Sequence, residues 1–546
     1  MEHPFPIPKP DDDVVDQMFL ALMQRRGWDR LSDLASRPMM TYPSSKKWTL
    51  ICQDLVTGTV DAVDNKAAAK DLKPEAFTKP YLEFMTENPT VFHAVDYFKE
   101  KLLKAGYKEL SSRDSWAGKL EPGGKYFTTR NGSSIIAFAV GKAYKPGNGL
   151  AMIAGHIDAL TARLKPTSTK PNSHGYVQLG VAQYAGALNE TWWDRDLSIG
   201  GRVIVRDPDS GKTTVKLVKL DWPIARIPTL APHFGIGMTG HNNRETEMVP
   251  IIGLDNGDLS GTSATATSES PIGGRGSFTS TQPPKLVKLI SKQLSIDPST
   301  ILNWELELFD SQPATVGGMD KEFIFAGRID DKLCSWAAFM ALLHAKSDPS
   351  EGNIKLVALF DDEEIGSLLR QGARGNFLPV TIERAVESLA SRDDDDRTPF
   401  GPGLLGQTYA NSFLVSSDVT HAAHPNFPQT NLPGHSPRLN VGVALCVDAS
   451  AHMTTDSVSM AILDRIADIA GCVNQRHMIR NDSRSGGTVG PMLSAAMGVK
   501  AADVGIPQLS MHSIRATTGS LDPGLGVKFY KGFLDHWEEV DREWRK

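Results

Sequence analysis

Cysteine is scarce in this sequence: 546 residues hold four (Cys52, Cys334, Cys446, Cys472), scattered and in no CxxC pair. That excludes a disulfide framework and a cysteine-ligated zinc site, and it suits synthesis in a reducing compartment. Long hydrophobic runs are missing too. Stretches such as Ile135–Val140 are strand-sized, short of the roughly 20 residues that cross a bilayer, so no membrane insertion is expected. There is no basic excess. The formal net charge is -6, which argues against nucleic acid as a partner, since phosphate recognition shows as clustered Lys and Arg. The first residues, MEHPFPIPKPDDD, lack the cationic start and apolar stretch of a secretory signal. SRSGGTVGP (483–491) is glycine-rich but carries no GK[ST], and no GxSxG nucleophile elbow occurs. What is present is an ordinary globular composition, 40% hydrophobic and 22% charged, long enough for more than one domain.

Residues 1–74 read as an N-terminal extension, in which Val14, Val15, Met18, Phe19, Leu22 and Met23 recur at helical spacing. From Tyr81 the pattern becomes regular. A helix is expected over Thr90–Ala105, then strands in SSIIAFAVG and LAMIAGHID; later come IKLVALF, a helix, NSFLVSSD, and a helix near Ser457–Ala470. Strands alternating with helices predict an α/β fold, a parallel-rich sheet covered by helices. Residues 167–318 have a different texture, with GGRVIVRD, KTTVKLVKL and the soft tract GDLSGTSATATSESPIGGRGS. They read as a β-rich domain inserted between two parts of the α/β domain, 75–166 and 319–546. SRDDDDRTPFGPG (391–403) reads as an exposed acidic loop.

The chemistry-bearing residues sit at the ends of apolar stretches. GHID places His156 and Asp158 on one side of a strand end, His156 as a ligand and Asp158 hydrogen-bonded to its other ring nitrogen. Alone, such a pair is more often a structural contact than a metal site. FDDEEIGS is more informative: a buried strand runs into Asp361, Asp362, Glu363 and Glu364, where open α/β sheets place their sites. Packed acids repel one another unless a cation neutralises them, although a solvated helix start would also tolerate them. Glu363 and Glu364, being adjacent, suit different tasks, one on metal and one on a water. FIFAGRIDD (Asp330), FLVSSD (Asp418) and IPQLSMHSIR (His512) each add a residue after an apolar segment. His156, Asp330, Glu364, Asp418 and His512 are too many for one tetrahedral zinc but suit two ions sharing a carboxylate. With no phosphate loop, no serine elbow and no marked cysteine, a metal-activated water is the strongest nucleophile candidate.

In order and spacing, AGHIDALTARLKP, AGRIDDKLCSWAA, FDDEEIGSLLRQGARG, SSDVTHAAHPNF and PQLSMHSIRATTG resemble the M18 metallo-aminopeptidases, a likeness running from about Glu75 to the C-terminus. NETWWDRDLSIGGRV, RIPTLAPHFG and NNRETEMVPIIG in the insert are similar to the family as well. The resemblance implies a hydrolase acting on peptides with free N-termini. It puts His156, Asp330 and Asp418 on one ion, and Asp330, Glu364 and His512 on the other. Glu363 would be the general base, and His233 would be supplied to a neighbouring subunit's site. The ions would be zinc, with manganese and cobalt as alternatives. It further implies a homo-oligomer, a dodecamer, and an insert that serves assembly.

Family members preferring acidic N-terminal residues carry a lysine and an NQRY-like run where this chain reads GVALCVDASAHMTTD, with Cys446 at the lysine position and Ser450–Met453 replacing NQRY. It also reads NDSRSGG for NDSPCGS. HIDALT, HMTTD and SIRATTGS are similar to the fungal vacuolar branch. Loss of the lysine removes the point charge that would pair with a substrate carboxylate, so neutral, leucine-like residues are expected, with aspartyl or glutamyl preference as the alternative. Two rivals remain: a deacylase or carboxypeptidase-like amidohydrolase on the same scaffold, and a self-assembling scaffold without activity. Vacuolar-type members are made in the cytoplasm and reach the vacuole by an autophagy-related route. Vacuolar delivery is therefore expected here, permanent cytoplasmic residence being the alternative, with an autophagy-type cargo receptor reading the N-terminal segment. Deleting residues 1–30 is expected to abolish vacuolar delivery of a fluorescent fusion, and unchanged delivery would remove that segment from the targeting function.

Overall fold

Unbroken apolar and small residues make Leu150–His156 (LAMIAGH) a strand buried on both faces, the pattern of an interior strand in a helix-covered sheet. The computed structural model describes residues 72–234, 243–255, 270–390 and 399–544, and these belong to one compact unit that begins at Asp71. The helix read over residues 14–24, nearly all of the extension 1–74, most of the soft tract and the acids of 391–398 lie outside the described residues.

A nine-stranded sheet forms the α/β body. At its centre Ile354–Phe360, Leu150–His156, Phe413–Ser417 and Lys500–Gly505 run parallel, in that spatial order. Ser134–Val140 and Lys125–Arg130 extend it antiparallel on one side. Ala444–Cys446 and Gln475–His477 extend it on the other. One face is covered by helices Thr78–Glu87, Val91–Lys104, Ile329–His344, Ser457–Ala470 and Asp522–Trp544; the other by Phe377–Ala390 and Val489–Met497. The helix expected over 90–105 begins after Thr90, whose side chain caps the His93 N–H, and the helix at Ser457–Ala470 opens with an Asp456–Ser459 capping box.

A second sheet of six antiparallel strands has the order Thr213–Lys219, Leu197–Arg206, Ile301–Asp310, Thr161–Thr169, Tyr176–Tyr184, Ile251–Leu254. It packs its own core with the helix Pro284–Leu294. The texture change at residue 167 falls inside the strand Thr161–Thr169, which starts directly after the His156 strand with no glycine or proline between to signal the exit. No helix among the described residues is long and apolar enough to cross a membrane.

Trp336, fully buried in the helix behind the sheet, packs its ring 5.4 Å from Tyr81 and 6.2 Å from Phe77. Phe98 and Phe339 stand 4.4 Å apart in the same cluster. Trp336→Ala is expected to cost about 3–5 kcal/mol by removing that contact area and leaving a cavity, read as a lowered thermal midpoint; a shift within error would mean the cluster does not brace the sheet.

Candidate metal centre

Three adjacent parallel strands end at the same edge of the sheet, and their final residues carry the site. His156 closes its strand opposite Phe360, so the FDDEE turn begins beside the imidazole. Asp418 follows Ser417 at the end of the next strand. Asp330 and His512 arrive differently from the sequence expectation. The strand Phe323–Ala326 ends short of Asp330, which lies in the first turn of the helix Ile329–His344 with non-helical backbone, after Arg328 at φ 60° has reversed the chain. His512, at φ 63°, sits in the turn after the two-residue strand Pro507–Gln508. Both were expected at strand ends. Apolar runs this short cannot show where a strand stops and a left-handed turn takes over.

The five residues converge. His156 Nε2 lies 3.2 Å from Asp330 Oδ1 and 3.7 Å from Asp418 Oδ1. His512 Nε2 lies 3.3 Å from Asp330 Oδ2 and 3.5 Å from Glu364 Oε2. Asp330 thus turns one oxygen to each imidazole. The ligand atoms form two clusters, His156–Asp330–Asp418 and Asp330–Glu364–His512, compact enough for each to hold a cation. Glu364 Oε1 is buried with no hydrogen-bond partner, an acceptor left for something else to satisfy. The donor set of two imidazoles and carboxylates, with no thiolate, is what a pair of zinc-type ions takes. The residues fit the ions.

Electrostatics point the same way. Burial pushes the Glu363 carboxyl up to about 7, with Asp418, Asp158 and Asp330 adding to it and His156 opposing. Asp418 is pushed up to about 6, again first by burial. Glu364 is raised well above the usual range by burial and by the Asp330 charge. Acids held this way repel protein charge of their own sign and favour bound cations. Glu363 Oε2 stands 3.7 Å from His156 Nε2 yet belongs to neither ligand cluster.

Asp158 organises the turn. One of its oxygens accepts the Glu363 N–H and the other the Glu364 N–H, both at 3.1 Å, and Oδ1 also faces His156 Nδ1 at 3.2 Å. Tyr184, from the second sheet, donates its hydroxyl to Asp158 Oδ2 at 2.8 Å and to Asp362 Oδ1 at 3.3 Å. Arg163 stacks over the Tyr184 ring at 3.9 Å and lies 3.9 Å from Glu307. Tyr184, Arg163 and Glu307 were not singled out from the sequence, where each looks like an ordinary strand residue. Exposed His233 lies in the turn Pro232–Phe234 of the second sheet's segment, its ring tilted against Phe234 at 4.5 Å, and belongs to neither metal cluster. Cys446 is buried at the end of its strand, and burial pushes its thiol up to about 12, so it is neutral.

The family model described as aminopeptidase I zinc metalloprotease (M18) matches residues 84–534. A second, described as a Diaphanous GTPase-binding domain, matches residues 7–91, of which only 72–91 are described; Phe77, Tyr81 and Phe84 among them belong to the aromatic cluster around Trp336. Vacuolar aminopeptidase 1 of Saccharomyces cerevisiae is 41% identical over 85% of this chain and 89% of its own length. An aspartyl aminopeptidase of Aspergillus oryzae is 41% identical over 87% of this chain and 98% of its own. Among solved structures, mApe1 of Chaetomium thermophilum superposes with TM-score 0.80 at 80% identity, covering 87% of this chain and all of that one. The mApe1 dodecamer of S. cerevisiae superposes at 0.75 and 36% identity, covering 86% and 99%. A complex of Ape4 with Nbr1 superposes at 0.79 and 37% identity, covering 86% and 87%.

Asp158→Asn retains one acceptor oxygen where two are used, so affinity for zinc is expected to fall about 10- to 100-fold in competition with a chromogenic chelator. Affinity equal to the parent's would deny Asp158 its orienting role.

Proposed function

The chain belongs to the aminopeptidase I zinc metalloprotease (M18) family and is a metallo-aminopeptidase, and from that premise we propose that it releases neutral, leucine-like residues from peptide N-termini. The observation that carries the site assignment is the division of Asp330, whose two oxygens face His156 at 3.2 Å and His512 at 3.3 Å. His156, Asp330 and Asp418 would hold one ion, and Asp330, Glu364 and His512 the second. When bound, such ions act as Lewis acids on the scissile carbonyl and acidify a water.

The chain's own residues do the remainder. Glu363, with a carboxyl near neutrality and outside the ligand clusters, takes the proton of the attacking water and returns it to the leaving amine. Asp158 holds the Glu363–Glu364 backbone so that one carboxylate faces metal and its neighbour faces water. The neutral preference rests on Cys446, an uncharged thiol buried in the strand between Lys500–Gly505 and Gln475–His477. The aspartyl aminopeptidase relatives support the alternative, an acidic N-terminal residue.

Several features belong to the same proposal. The chain assembles as a dodecamer through the inserted β-rich segment 167–318, and exposed His233 is presented to a neighbouring subunit's site; the dodecameric relative supports this. Delivery to the vacuole, with a cargo receptor engaging the N-terminal segment, is supported by the vacuolar relative and by the relative bound to Nbr1.

The test is hydrolysis of leucyl- and aspartyl-nitroanilide by the purified oligomer, with and without chelator, beside Glu363→Gln. Chelator-sensitive cleavage favouring leucine is expected, and the variant is expected to retain its ions while kcat falls about 100- to 10,000-fold. Favoured aspartate would move the specificity to the acidic alternative, and near-normal turnover by the variant would remove Glu363 as base.

A further inference from the structure

A second cavity shares a wall with the metal cluster and is lined by basic groups. His421, His424, His435 and His477 enclose about 300 Å³ together with Arg480 and Arg484, and no carboxylate lines it. Arg480 is paired with Asp482 at 2.7 Å, whereas exposed Arg484 has no ion-pair partner among the described residues. Burial pushes His477 down to about 4, and its neighbours His421 and His435 add to that effect. Burial also lowers His421, with His512 contributing and Asp330 opposing. Arg484 is thus the cation that the cavity leaves without a counter-charge among the described residues, and the buried imidazoles of His421 and His477 are held uncharged beside it.

A second, independent observation lies in the shared wall. Gln508 is 1% exposed, and among the described residues neither its amide oxygen nor its amide nitrogen has a hydrogen-bond partner. It lines both this cavity and the one bounded by Asp330, Glu364 and His512. A buried, unpaired primary amide is costly, and a peptide unit satisfies it fully, carbonyl to Nε2 and N–H to Oε1. The direction of that peptide follows from charge. A substrate's free α-amine is drawn to the carboxylates of the metal cluster and repelled by the unpaired Arg484 guanidinium. The end that enters the cavity is therefore the one remote from the amine, which in a short peptide ends in a carboxylate.

We propose that this cavity is the subsite for the leaving portion of short peptides. Arg484 and the surrounding imidazoles hold its terminal carboxylate, and Gln508 pairs with the peptide unit that connects it to the metal cluster. The inference rests on the neutral-residue aminopeptidase reading, because an acidic N-terminal side chain would compete for the same basic groups.

The test compares Leu-Gly-Gly, Leu-Gly-Gly-amide and Asp-Gly-Gly-amide on the zinc-loaded oligomer. The parent enzyme is expected to favour the free acid over its amide by about 10- to 100-fold in kcat/KM, mainly through KM, the range of a charge-assisted hydrogen bond. Arg484→Ala is expected to bring that ratio close to one. Gln508→Leu is expected to raise KM for both leucyl peptides while the thermal midpoint holds or rises, since the variant removes an unsatisfied buried amide. Equal rates on acid and amide, with leucine still favoured over aspartate, overturn the subsite and leave the neutral preference standing. A preference for Asp-Gly-Gly-amide that Arg484→Ala abolishes assigns the cavity to the N-terminal side chain and fails both readings. A lowered midpoint with unchanged KM in Gln508→Leu makes the amide structural and overturns its pairing role.

Discussion

Everything at this site depends on holding Asp158, Asp330, Glu363, Glu364 and Asp418 around the His156 imidazole in a poorly solvated cleft. Left alone, that much like charge is unfavourable, which is why burial and mutual repulsion raise Glu363, Glu364 and Asp418. Two imidazoles offset part of it. Bound cations would offset the rest, so the cost of gathering these acids and the affinity for metal have one cause.

The scaffold makes such crowding possible by where it spends its hydrogen bonds. Both oxygens of Asp158 are committed to the backbone of the two catalytic-turn glutamates and to Tyr184. A third fixed contact comes from Ser335, whose hydroxyl donates to the His156 carbonyl at 2.5 Å. Asp158 is therefore positioned by main chain and by a neutral donor, while the oxygens of Asp330, Glu364 and Asp418 turn to the centre. The Trp336 helix behind the sheet carries Asp330 in its first turn, so packing of the aromatic cluster and placement of the shared carboxylate are one mechanical unit.

The second sheet takes part in this chemistry. Tyr184 reaches across to Asp158 and Asp362, and Arg163, on the neighbouring strand, stacks on its ring while lying 3.9 Å from Glu307 on the strand beyond. A β-rich segment read from the sequence as an appendage for assembly thus contributes to the order of the metal turn. Gln508 lines both the cavity at the metal cluster and the neighbouring cavity that holds Arg484.

The amino-acid sequence by itself determined the central strands, because LAMIAGH and IKLVALF are strand-length, largely apolar runs that end at polar residues, and it singled out the five candidate ligands, because their residue types suit a pair of ions together. It also carried the family likeness, since ordered motifs survive in one dimension. It did not place Asp330 or His512 correctly, for left-handed turns at Arg328 and His512 depend on what the chain packs against. Nor did it single out Tyr184, Arg163 or Gln508, whose roles arise from contacts between residues far apart in the chain. Residue type and periodicity are local properties, whereas the pairing of Asp158 with Tyr184 and the unpaired amide of Gln508 exist only once two sheets are brought together. Tertiary structure alone decided those.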